Sequence, residues 1–186
     1  MSALQSLGVD GDLPGPARSP GGLCGSLAAV GHPVPTDLAT VAWLALALHR
    51  PILVEPADPE ADGAEHRHAE HRHAEHRHAE HRHAEHSHAG QSLAEGLAAV
   101  LGRDLVRITC HPAMAGGDGL PARAVQRARR TPAVLLVEGA HTAPQPFLDG
   151  LLAELGAPGP YDPVLVLVAA RPVSPALARR CLTARP

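Results

Sequence analysis

Lysine is absent from this chain of 186 residues; all 16 basic residues are arginine. Any site that needs a lysine amine to reach a phosphate is therefore excluded. Aromatic residues are nearly absent too, with one Trp, one Tyr and one Phe. The core must be aliphatic and buries less area per residue than aromatics would allow. Cysteine is scarce: Cys24, Cys110 and Cys181 are an odd number, far apart, with no CxxC or Cys/His zinc spacing. That excludes a disulfide framework and points to a reduced, cytoplasmic setting. No run of 18 apolar residues occurs, so no membrane span is expected. The first 31 residues lack the basic and apolar regions of a signal peptide. The net charge of −3 gives no basis for binding nucleic acid.

What the chain has in excess is histidine. Ten of its 14 histidines lie in residues 64–88, which read AEHRH four times and then AEHSH. They are His66, His68, His71, His73, His76, His78, His81, His83, His86 and His88. A five-residue period advances about 140° per unit on an α-helix, so no face collects the histidines and no apolar face exists. The tract is expected to be disordered or an exposed, marginal helix. Neutral imidazoles are good ligands for Zn²⁺, Ni²⁺ and Cu²⁺, and the His-x-His pairs suit chelation from an extended chain. Two other readings stand beside that one. A near-perfect tandem repeat is what DNA slippage leaves, since Ala and Glu are copied with the histidines. The tract also becomes strongly cationic as pH falls through about 6.5, which suits a pH switch.

Around the tract the hydrophobic pattern is that of an α/β protein. Residues 1–31 are rich in Gly, Pro and Ser and read as largely disordered, with a short apolar contact at Leu23 to Val30. Thr36-Asp37 signals a helix start, and Leu38, Val41, Ala42, Ala45 and Leu48 continue it at helical spacing. Four apolar strands are expected, at Ile52–Glu55, Leu105–Thr109, Ala133–Val137 and Val164–Ala169. Helices are expected at 91–101, 121–130 and 146–155, with a last one starting near Ala176. Continuous apolarity in the strands points to a three-layer parallel sheet covered on both faces. The expected layout is a core over residues 32–181, interrupted at 56–90 by an acidic loop and the repeat, with 182–186 a tail. His111 and His141 read as loop residues, and the arginines of 121–130 as a solvated face.

Several segments in order resemble MoxR-type AAA+ ATPases, a branch of the P-loop NTPases. Leu46-Ala47-Leu48-His49-Arg50-Pro51-Ile52-Leu53-Val54-Glu55 is similar to the entry helix and first strand of that family. LGRDLVRITC, ending at Cys110, resembles the second strand with the helix before it. TPAVLLVE, ending at Glu138, resembles the third strand, and SPALARRC, ending at Cys181, the segment bearing an arginine finger. The resemblance implies an ATP-driven ring that remodels partner proteins, with Glu138 at the magnesium position and Arg179 or Arg180 serving a neighbour's site.

The chemistry of the family is largely missing. Where G-x-x-x-x-G-K-[ST] would follow Glu55, the chain reads PADPEADG and then the repeat. Glycines that wrap phosphates, the lysine and the Ser/Thr for magnesium are not there. Acidic Glu55, Asp58, Glu60 and Asp62 are expected to repel phosphate. Gly139 stands where a catalytic Glu would orient water, and Ala169-Ala170 where a polar residue would end strand four. The expectation is a degenerate core without its fifth strand or lid, with strand one at an exposed edge, and without hydrolysis of ATP/Mg. It would act through an intact AAA+ relative or a MoxR-type partner protein, or by binding Zn, Ni or Cu through the repeat. A non-functional remnant is the remaining alternative.

Overall fold

The computed structural model describes residues 15–55, 88–112, 114, 120–156 and 161–186. A first helix, α1 (Pro20–Ala29), starts on Ser19, whose Oγ accepts from the Gly22 N–H at 3.1 Å, with Pro20 in the first turn. Helix α2 (Thr36–Ala47) follows and leads into β1 (Ile52–Val54). Pro35, not Thr36, is its N-cap, and Asp37 sits in the first turn, where a carboxylate favours the helix dipole. The helix ends on His49, at φ 50, with the Arg50 N–H bonded to Ala45 O at 2.9 Å. This closing geometry more often uses glycine.

Helix α3 runs over residues 88–101 and leads to β2 (Asp104–Thr109). Then come α4 (Leu120–Ala128), β3 (Ala133–Glu138), α5 (Gln145–Gly156), β4 (Val164–Val168), the short α6 (Pro175–Ala178) and β5 (Leu182–Ala184). The five strands form one sheet in the order β2-β3-β4-β1-β5, and every pairing is parallel. Alternate side chains of the buried strands feed two cores. Ile52, Val54, Val134, Leu136, Val166 and Val168 pack with α1, α2 and α3 on one face. Leu53, Leu135, Val137, Leu165 and Leu167 pack with α4, α5 and α6 on the other. The three-layer parallel sheet expected from continuous apolarity is what forms. Among the described residues, no helix is long and apolar enough to cross a membrane.

Two expectations are corrected. Residues 182–184 are not a tail but β5, in register with β1 as Ile52↔Leu182, Leu53↔Thr183 and Val54↔Ala184. Strand β1 is therefore interior, and its fully buried pattern requires that. The three residues Leu-Thr-Ala are too few for a periodic signal; long-range hydrogen bonds, Leu182 N–H to Pro51 O at 2.8 Å and Glu55 N–H to Ala184 O at 3.0 Å, hold them. The segment 1–31 is not disordered throughout either. Leu23 and Leu27 of α1 are fully buried, and α3 presents Gly96 to them, where an added Cβ would lie 2.6 Å from Leu27 Cδ2. Tertiary packing overrides a Gly-rich composition there.

Candidate functional site

In an open parallel sheet, ligands bind beyond the C-terminal ends of the strands, where successive connections leave for opposite faces. Here that place lies between β1 and β4. The chain leaves β1 for α3 on one face and leaves β4 for α6 on the other. Around it stand Glu55 after β1, Glu138 ending β3, Ala169-Ala170 after β4, Thr109 ending β2, and the turn of α3 that holds Gly90 and Gln91. Gly90 lets that turn approach: a Cβ there would sit 2.5 Å from Val168 Cγ2.

Glu138 is half-buried and held at both oxygens. Gln91 Nε2 donates to Oε1, and Thr109 Oγ1 donates to Oε2 at 3.2 Å. Each carboxylate oxygen thus accepts one hydrogen bond from a neutral side chain. Glu138 ties α3 to the tips of β2 and β3.

Gly139 takes a left-handed conformation, φ 69, to turn the chain out of β3. A Cβ there would be 3.2 Å from Cys110 O. The turn is closed by Thr142, whose hydroxyl lies 2.8 Å from Gly139 O and 3.2 Å from Cys110 O. His141 then reaches across to β4, where its Nδ1 accepts from the Ala170 N–H at 3.1 Å. That bond needs an unprotonated Nδ1. The polar group at the tip of β4 is thus supplied from the exit of β3.

Glu55 is 2% exposed. Its Oε1 accepts from the Val173 N–H at 2.9 Å, and its Oε2 lies 3.4 Å from Arg185 Nη2. The expectation that Glu55 would repel phosphate is corrected: the carboxylate is turned inward and paired with Arg185 as part of the closure between β1, β5 and the loop after β4. Asp58, Glu60 and Asp62 lie outside the described residues.

Arg179 and Arg180 sit at the other end of the sheet, before β5, and do not join Glu138. Arg50 Nη2 donates to Arg179 O at 2.7 Å and Cys181 O at 3.3 Å, which fixes their backbone. The side chain of Arg180 lies 3.9 Å from Asp149, and both arginine side chains point to solvent. Of the repeat histidines, His66 to His86 lie outside the described residues, and His88 lies in α3, exposed. Among the described residues, no three metal-binding side chains converge.

Sequence reasoning found Glu138 and missed Gln91, Thr109 and His141 as its surroundings. Gln91 carries a signal in hindsight, since it sits in the helix turn where the resemblance expects a magnesium-binding hydroxyl. Thr109 and His141 carry none, because their roles come from the alignment of β2, β3 and β4. Comparison with known protein families, with curated proteins and with solved structures finds no match to this chain.

Proposed function

We propose that this chain is a non-catalytic subunit of MoxR-like AAA+ type, acting through protein contacts rather than ATP hydrolysis. The carrying observation is the order β2-β3-β4-β1-β5, which sets beside the first strand the fifth strand that the sequence was expected to lack. Against hydrolysis stand three features of the residues themselves. The chain has no lysine to draw the outer phosphates. The carboxylate of Glu138 is engaged by Gln91 and Thr109. The next residue is a left-handed glycine that can orient no water. Together these remove most of the electrostatic stabilisation that phosphoryl transfer needs. Arg179 and Arg180 are exposed and remote from Glu138, on a surface that a neighbouring subunit could reach.

The test is a titration with a fluorescent ATP analogue, with and without Mg²⁺, beside co-purification with an intact MoxR-type ATPase from the same genome. The expected result is no saturable binding by this chain alone and stable co-purification that Arg179→Ala/Arg180→Ala weakens. Saturable, Mg²⁺-dependent binding that Glu138→Ala abolishes would replace this reading with a working ATPase.

A second reading is transition-metal binding through His66 to His88. The described chain breaks off after Glu55 and resumes at His88, and both residues lie at the C-terminal edge of the sheet. Calorimetric titration with Zn²⁺ and Ni²⁺ at neutral pH should show several bound ions per chain. A variant with all ten histidines changed to Gln should bind none and keep its circular dichroism spectrum. Equal binding by that variant would remove the tract from consideration.

A further inference from the structure

The edge of the sheet formed by β2 is built differently from its other edge. Strand β5 is three residues long, whereas β2 has six residues in register with β3 and pairs with no other strand among the described residues. Exposed edges are usually guarded by proline, a bulge or outward charges. Strand β2 (DLVRIT) has no proline, and its mid-strand charge, Arg107, is drawn back onto Glu95 of α3. Among the described residues, no strand pairs with the backbone of this edge.

Beside it lies a cleft of about 260 Å³ between β2, α4 and α5. Its floor is apolar, from Val106, Ile108, Met114 and Phe147, and Arg123 and Arg127 stand over it. These two arginines are exposed, four residues apart on α4, and have no hydrogen-bond or ion-pair partner among the described residues. Like charges at that spacing on a helix repel each other. The neighbouring arginines differ: Arg129 donates to Glu154 O and Leu155 O at the end of α5, and Arg107 pairs with Glu95. Of the arginines around the cleft, these two are left to meet something else.

We propose that the outer edge of β2 and this cleft form a docking site for an extended, acidic segment of a partner protein, added to the sheet as a sixth strand. The spacing fits. Side chains two apart on a strand, on one face, are separated by about 6.6 Å, and residues four apart on a helix by about 6 Å along its axis. Two acidic residues at alternate positions therefore meet Arg123 and Arg127 together. Apolar residues flanking them on the same face meet Val106, Ile108 and Phe147. A second copy of this chain fits worse, because two joined β2 edges would bring the unpaired arginines of both copies together. The site lies at the sheet edge away from β1, and nothing in it depends on how the nucleotide question is answered.

The experiment uses the full chain and labelled heptapeptides. Leu-Thr-Glu-Thr-Glu-Thr-Leu reads the same in both directions, so it tests parallel and antiparallel addition at once. Fluorescence anisotropy should show saturable binding below about 1 mM, weakened at least tenfold by R123Q/R127Q, whose exposed side chains leave the fold intact. The same peptide with Lys for both Glu, and one with N-methylated Thr backbone, should bind at least tenfold more weakly. Equal binding of the Lys peptide, equal binding of the N-methylated peptide, or no saturation by the Glu peptide would overturn the proposal. So would sedimentation of the chain alone as a dimer that R123Q/R127Q alters, which would give the edge to a second copy.

Discussion

Single residues decide what the tips of the strands can do. Gly139 reads in sequence as the loss of a catalytic Glu, and the structure adds why the position holds glycine. At φ 69 a side chain costs about 1–2 kcal/mol, so restoring Glu there would strain the turn rather than rebuild a site. The thiols carry a pH signature. Burial pushes Cys110 and Cys181 from 9.0 up to about 11; beside Cys181 the charges of Arg50 and Arg180 pull the other way and burial wins. The unfolded chain releases these protons near 9, the folded chain near 11. Stability from this source is complete below about pH 9 and is lost as pH rises towards 11. With no lysine in the chain, few other groups titrate in that window. Melting temperature should fall more steeply from pH 9 to 11 in the native chain than in Cys110→Ala/Cys181→Ala, slopes rather than levels being compared. Equal slopes would mean the thiols ionise freely in the fold. Glu138 was legible because it ends an apolar run; Gln91, Thr109 and His141 were not, because only the parallel register brings them together.

Among the elements, strands β1 to β4 announced themselves by continuous apolarity, and helices α2 to α5 by spacing and stops such as Gly102. Helix α1 did not, since Pro20, Gly21, Gly22 and Gly25 resemble a linker. What makes it an element is its contact with α3, and Gly96 is the residue that permits the approach. Its added Cβ would lie 2.6 Å from Leu27 Cδ2 and 2.9 Å from His32 Cβ. A Gly96→Val substitution gains little helix propensity and overfills this contact, at a cost of about 1–3 kcal/mol. The damage should be local. Hydrogen exchange should speed up across residues 20–29 while β3 and β4 stay protected. Unchanged exchange in α1 would show that the two helices can part without cost, and that the composition reading was the better one.

For the molecule as a whole, the question is what keeps a parallel sheet with so few aromatics closed at β1. Ile52, Leu53 and Val54 are all fully buried, which one neighbouring strand cannot achieve. Strand β5 covers them, and its end supplies both Ala184 O for the Glu55 N–H and Arg185 for the Glu55 carboxylate. These contributions can be separated. Arg185→Ala removes the ion pair and leaves β5 in place, and because that guanidinium is half exposed the cost should be about 1 kcal/mol or less, smaller still in a Glu55→Gln background. Removal of residues 181–186 should be far worse. It strips β1 of a strand, leaves the Glu55 N–H without its acceptor and the carboxylate buried without its arginine, and opens an apolar edge to self-pairing. Urea denaturation should show a loss of about 3 kcal/mol or more, and sedimentation should show aggregates that the Arg185→Ala protein does not form. If instead the shortened chain matched Arg185→Ala in both measurements, β5 would contribute no more than its arginine. The sheet would then be the four-stranded one that the sequence suggests, with β1 tolerating an open edge.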